Sequence, residues 1–266
     1  MSAHSREKRY NPAISTVLQS RVPIFSPVKK GGVVLDKKIM TPWGYVIIRA
    51  KQLNQIHRNL LDCMAAYNIN TFQYSDGRVA IAISPYKLMK TMGVSPTNHN
   101  WIKNKLRDLR ISEIELYDNR TGYKIITGIV EKYGYAELET SSRPGAWKSK
   151  PWKIIFSAEW MSLWSVDMHV KYKSLLPDVM KLKNAVSQAL IRMLLTHSRK
   201  FTISLDDALV HIGAIRDGMS DRAKQKVRVK IFNDINGLNS LGVHIENGKI
   251  YYKQDPNIRF YNPSNN

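Results

Sequence analysis

The residues of this chain best placed to do chemistry are cations and amides at helical spacing, not acids, thiols or imidazoles. Arg222, Lys224, Gln225, Lys226, Arg228 and Lys230 stand within nine residues, opposed only by Asp221 at the start of the run. Ser220 just before them is a helix N-cap type, and Asp221 suits the positive end of a helix dipole. An earlier stretch repeats the arrangement. There Asn98, His99, Asn100, Lys103, Asn104, Arg107 and Arg110 lie off an apolar stripe of Trp101, Ile102, Leu106 and Leu109. Arginine and lysine pair with guanine edges or with phosphates, and asparagine and glutamine pair bidentately with adenine. The alternative is an ordinary solvated helix face of the same composition. The elements around each stretch must separate the two.

Those elements form a series. Residues 52–67 place Leu53, Ile56, Leu60, Leu61 and Met64 at helical spacing, and residues 71–83 alternate around Ser75-Asp76-Gly77, a hairpin signal. Ser84 with Pro85 opens a short helix that Gly93 breaks, and Ser95-Pro96-Thr97 starts the next one. Two β-like runs follow at residues 113–117 and 123–130, joined through Asp118 to Gly122. The order recurs later in the chain. Residues 182–196 read as a helix, and Thr202 and Ile203 as a short strand. Ser204 caps a helix running to Gly213, and Ser220 caps a long one through Val227, Ile231 and Ile235. Asn247-Gly248 then gives the strongest hairpin signal in the chain.

Helix, helix, turn, helix, hairpin is the winged-helix order, and its repetition predicts an α+β fold of two tandem winged-helix domains. The boundaries expected are a flexible basic arm at 1–40, a first domain at 41–136, a connector at 137–180, a second domain at 181–254 and a tail at 255–266. The arm, with a short strand at 33–35, either touches phosphates or another subunit or is simply a free terminus. In the connector, Lys148, Lys150 and Lys153 interleave with Trp147 and Trp152. Residues 152–156 read as a strand, 158–164 as a short helix, and 168–180 as a helix interrupted by Pro177.

In such a domain the third helix enters the major groove, which makes both basic stretches candidates for reading base edges. The hairpin cations Arg120, Lys124, Lys249 and Lys253, with Lys148 and Lys150, suit phosphate contact. Trp147 and Trp152 either stack on unpaired bases or pack in the interior, the second being the more ordinary use. The candidate DNA-binding set is therefore Asn98, Asn100, Lys103, Asn104, Arg107, Arg110, Arg120, Lys148, Lys150, Ser220, Arg222, Lys224, Gln225, Lys226, Arg228, Lys230 and Lys249.

Composition points the same way. Lysine and arginine outnumber acidic residues 41 to 21 in 266 residues, for a net charge of +20. A surplus of that size creates a field that favours polyanions, nucleic acid foremost. A membrane surface is the rival partner, but no amphipathic basic helix stands apart from the domains to serve it. With 43% hydrophobic residues, each half can bury a core. The single cysteine, Cys63, sits among Leu60, Leu61 and Met64 and reads as a buried thiol in a reducing compartment. The N-terminus lacks the apolar run of a signal peptide, and no stretch nears eighteen apolar residues. The expected location is cytoplasmic, without membrane contact.

Catalytic signals are missing where they would be expected. There is no P-loop, and no His-x-His pair to accompany a nicking tyrosine; His197 and His211 stand apart. Asp206, Asp207, Asp217 and Asp221 suggest helix N-termini rather than a metal site. One cysteine and scattered histidines exclude zinc spacing. No enzyme activity, metal or cofactor is expected.

Three strings then resemble the plasmid replication initiator (Rep) proteins of the RepE and TrfA type. They are Gln52-Leu53-Asn54-Gln55-Ile56-His57-Arg58-Asn59-Leu60-Leu61, then Trp152-Lys153-Ile154-Ile155-Phe156 leading into residues 163–172, and Ala185-Val186-Ser187-Gln188-Ala189-Leu190-Ile191-Arg192-Met193-Leu194. The resemblance spans about residues 45–253 and is one of pattern and order. It implies binding to repeated origin sequences (iterons), opening of an AT-rich duplex, and recruitment of the host initiator and replicative helicase. It also implies that the second module dominates base recognition and that a homodimer forms through the first, around residues 71–83. The other reading is a winged-helix transcriptional regulator that only occupies an operator. A non-specific architectural DNA binder is a third.

Overall fold

A computed structural model of the chain describes residues 15–27, 33–134, 151–166, 169–197, 200–255 and 258–261. In chain order it has β1 (Ser15–Thr16), α1 (Val17–Arg21), β2 (Val33–Thr41), β3 (Gly44–Lys51), α2 (Gln55–Tyr67), β4 (Asn70–Gln73), β5 (Val79–Ile83), α3 (Pro85–Thr91), α4 (His99–Ile111), β6 (Glu113–Asp118), β7 (Lys124–Thr127) and β8 (Val130–Gly134). It continues with β9 (Trp152–Phe156), α5 (Ala158–Val166), β10 (His169–Lys171), α6 (Leu176–Lys181), α7 (Ala185–Leu194), β11 (Lys200–Ser204), α8 (Leu205–His211), α9 (Asp221–Phe232), α10 (Ile235–Ser240), β12 (Val243–Glu246), β13 (Lys249–Lys253) and β14 (Arg259–Tyr261). The fold is a mixture of helices and several sheets, compatible with the α+β class. No helix among the described residues is long and apolar enough to cross a membrane.

The chain divides into two compact units that are not contiguous in sequence. The first is built on Val34–Lys51 and Leu60–Val166, the second on Ala13–Val33, Gln52–Asn59 and Asp167–Asn266. Helix α2 therefore counts with the second unit up to Asn59 and with the first from Leu60 onward.

In the first unit, Leu60, Cys63 and Met64 of α2, Leu88 and Met89 of α3, and Ile102, Leu106 and Leu109 of α4 are all buried. Each such side chain contributes roughly 1.5–3 kcal/mol of transfer free energy. Two four-stranded sheets flank them, in the orders β2-β3-β6-β7 and β4-β5-β9-β8. Strand β9 enters between β5 and β8, pairing Ile83 with Trp152 and Val79 with Phe156. The stretch read as connector thus supplies a central strand, and Trp152 is buried at 6% exposure. The run read as one strand over 123–130 is two strands in different sheets. At the break, a side chain on Gly128 would come within 3.0 Å of the Arg110 carbonyl oxygen.

The second unit centres on α7, in which every residue from Val186 to Leu194 is buried. Its polar residues meet the start of α2. Arg192 donates to Gln55 Oε1 (3.0 Å) and Asn59 Oδ1 (2.5 Å), and Asn59 Nδ2 donates to Gln188 Oε1 (3.1 Å). Gln55 also donates to the Phe25 carbonyl (2.8 Å), and Arg58 to Ser15 Oγ and the Gln19 carbonyl. Two of the three strings that carry the family resemblance therefore interlock through a buried polar layer. Around it lie the three-stranded sheets β1-β10-β14 and β11-β13-β12.

Four local expectations change. Within the stretch read as an arm, β1 and α1 are formed, with Val22, Ile24 and Phe25 buried, because this segment covers the polar residues of α2, and β2 is formed by pairing with β3. The presumed tail contributes β14, paired to β10. Residues 168–180 hold strand β10 and then α6, with Pro177 in the first turn of α6, where a missing N–H costs nothing. The long helix expected through Ile235 stops at Phe232. There Asp234 turns aside to accept from the Lys183 and Asn184 backbone amides at 3.0 and 2.8 Å.

Candidate nucleic-acid interface

Both basic helices are launched by the same local device. After α3, Gly93 takes φ +67° while Val94 N–H reaches the Met89 carbonyl at 2.9 Å. After α8, Gly213 takes φ +71° and Ala214 N–H reaches the Leu209 carbonyl at 2.8 Å. This left-handed cap suits glycine and ends a helix sharply, so that the next can start in a new direction. Side-chain caps then start both helices: Asn98 Oδ1 accepts from Trp101 N–H (3.1 Å) and Ser220 Oγ from Ala223 N–H (3.4 Å). Asn98, not the earlier Ser95-Pro96-Thr97, caps α4. Asn98 and Ser220 are both exposed while performing this task.

On α4 the buried Ile102, Leu106 and Leu109 define the docked side. Asn100, Lys103, Asn104, Arg107, Arg110 and Ile111 fall in an arc of about 120° on the opposite side, at 100° per residue. All are exposed except Lys103, which is half-buried. Lys105, off that arc, is held by Asp108 at 3.6 Å, and Lys51 approaches the same carboxylate at 3.8 Å. Burial and the neighbouring Lys103 lower the His99 pKa, favouring a neutral ring at the start of the helix.

On α9 the docked side is Val227 and Ile231. Going round the open side one meets Phe232, Gln225, Val229, Arg222, Lys226 and Lys230, an arc of about 160°. Every one of these is exposed. Among the described residues no carboxylate lies within ion-pair distance of Arg222, Lys226 or Lys230. Lys224 and Arg228 sit at the edge of the docked side and are half-buried. Arg228 grips Asp206 of α8 with two bonds (2.8 and 2.6 Å) and also donates to Gln225 Oε1 (3.3 Å). That bond holds the Asp206 carboxyl below its usual pKa range. Lys224 lies 3.7 Å from Asp221.

The two hairpins differ in the same sense. Arg120 is engaged by Asp118 at 2.7 Å, and its guanidinium draws the Asp118 pKa down to about 2. Lys124 and Arg49 converge on the buried Glu115 at 2.9 and 2.8 Å, and Lys124 above all holds that carboxyl below its ordinary pKa. In the second hairpin Asn247 and Gly248 take φ of 48° and 70°, as a tight two-residue turn requires. Lys249 beside it is exposed, and Lys200 faces Lys253 directly across β11 and β13. Like charges placed opposite each other destabilise a sheet unless an anion covers them. Lys200 was not singled out in the sequence, because only the strand register brings it beside Lys253. Lys148 and Lys150 lie outside the described residues, as does Trp147. Among the described residues no cluster of acids, histidines and cysteines could hold a metal.

No family model and no curated protein matches this chain. Among solved structures it is similar to RctB domains 2–3, over 89% of this chain and 96% of that one, at 9% identity and a TM-score of 0.52. The likeness is to RctB rather than to a protein of the RepE and TrfA type, and at this identity it is a likeness of fold.

Proposed function

We propose that the chain is a sequence-specific double-stranded DNA-binding protein that initiates replication from repeated origin sites. In this reading each unit uses a winged-helix module, and α4 and α9 are the helices that each enter a major groove. The observation that carries it is the open side of α9, where Arg222, Gln225, Lys226 and Lys230 are exposed on a helix whose other side is docked. The fold shared with RctB domains 2–3 covers both units, and the initiator role is taken from the family resemblance of the sequence. Opening of an AT-rich duplex, and host initiator and helicase partners, follow from the family resemblance. So does a homodimer through the first unit; there β4 is an edge strand with exposed Ile69 beside it.

Footprinting on the DNA flanking the native gene tests the reading. Several direct repeats spaced by about two helical turns support an initiator. A single inverted repeat supports the other reading, a regulator that occupies an operator. Opening of an adjacent AT-rich segment, seen by permanganate reactivity, is expected of an initiator alone.

A further inference from the structure

The open side of α9 is cationic at one edge, with an apolar residue, Val229, at its middle and another, Phe232, at the other edge. Val229 is 45% and Phe232 47% exposed, and neither belongs to the docked side formed by Val227 and Ile231. Round the helix, Val229 lies between Gln225 and Arg222, and Phe232 lies just beyond Gln225. Single exposed apolar residues are commonplace. A β-branched one ringed by Arg222, Lys226 and the Gln225 amide is a less ordinary choice for a face that only meets water.

We infer that this strip reads thymine. The inference rests on α9 being the groove-entering helix, and it names which base that helix selects. In the major groove thymine alone presents a methyl group, and an apolar side chain recognises it by contact. Gln225 lies one helical turn before Val229, about 6 Å along the axis, which is close to two base-pair steps. Its amide matches the donor and acceptor of adenine. Arg228, clamped by Asp206, donates to Gln225 Oε1 and so fixes the side chain's orientation. Gln225 and Val229 together select A·T pairs about two steps apart, with Phe232 continuing the apolar track. A second protein copy is a poor occupant, because Arg222, Lys226 and Lys230 would meet their own like. DNA complements that charge.

The test uses the full chain and a duplex enriched from a randomised library. Each thymine in the enriched duplex is replaced in turn by deoxyuridine, which removes only the methyl. Removing one buried methyl should weaken binding about fourfold at one or two positions. In Val229→Ala, whose exposed site leaves the fold intact by circular dichroism, the same replacements should have no effect. Phe232→Ala repeats the comparison for the neighbouring contact. Full affinity for every uracil duplex overturns the inference while leaving DNA recognition standing, as does undiminished uracil sensitivity in both variants. If no duplex is enriched over random sequence, the DNA reading itself fails and takes this inference with it.

Discussion

Helices α4 and α9 share a launching turn, a capped start and a docked apolar side, yet their surroundings differ in how charge is used. Around α4 the cations are largely answered from within. Asp108 holds Lys105, Glu115 holds Arg49 and Lys124, and Asp118 holds Arg120. What remains open on α4 itself is an asparagine-rich arc with Arg107 and Arg110. Around α9, Arg228 with Asp206 fixes the helix to α8 and Lys224 pairs with Asp221, while Arg222, Lys226 and Lys230 are exposed. The difference teaches that net charge alone does not mark a binding face. A cation spent on a neighbouring carboxylate is structure, and one left without such a partner is available to a ligand.

Binding variants sharpen this contrast most. Replacing Arg222, Lys226 and Lys230 together by alanine should flatten the salt dependence of duplex binding by about three units of log–log slope, roughly 0.9 per phosphate contact. Replacing Asn100, Asn104 and Arg107 should cost about one such unit, but should erode preference for the enriched site over random duplex. Fluorescence anisotropy over a salt series measures both. Equal slopes for the two triple variants would break the comparison.

The next effect concerns stability. Arg192→Met removes the donor to the buried Gln55 and the half-buried Asn59 inside the second unit and takes a partner from each acceptor. A loss of about 2–4 kcal/mol is expected in urea unfolding. An unchanged midpoint would mean that the polar layer does not hold this unit together.

That layer also marks where the sequence was hard to read. Local signals located α3, α8 and α9: Ser84, Ser204 and Ser220 accept from the backbone at their helix starts, and Gly93 and Gly213 take the left-handed caps. Asn247-Gly248 located the second hairpin. Nothing local marks the polar residues of α2 as interior, because charged side chains are rarely buried. Arg58 is 1% exposed because residues 15–25, distant in sequence, lie over it. Strand β3 went unread, although its Val46 and Ile48 are buried in alternation. Asp234 ended α9 through contacts with residues some fifty positions earlier, which no helical periodicity reveals. The candidate helices were legible, but the division of their cations into paired and open was not. That division depends on Asp206 and Glu115 arriving from other elements, and on Asp118 meeting Arg120 two residues on in the hairpin turn.

A smaller effect is set by pH. Burial first, then Arg21 and His211, lower the His197 pKa to about 4, so the folded protein keeps that ring neutral. Its stacked contact with Phe201, 3.6 Å between ring centres, suits a neutral ring. The unfolded chain takes up the proton near pH 6.5, so stability is full above that value and falls as pH drops from 6.5 towards 4. His197→Phe should show a shallower loss over this window in thermal melts, and an unaltered slope would place the titration elsewhere.

The smallest effect is expected at the clamp. Arg228→Ala should change stability by less than about 1 kcal/mol, as exposed ion pairs do. It should alter the salt slope less than Lys226→Ala, because Arg228 is already engaged with Asp206. A larger slope change for Arg228→Ala would show that it leaves Asp206 for a phosphate.

The central claim is that this chain recognises a particular duplex sequence, and one comparison addresses it most directly. The affinity of the intact chain for its footprinted site is measured against random duplex at a single fixed salt concentration. The account predicts a ratio of about a thousandfold or more. Equal affinity for the two would contradict it.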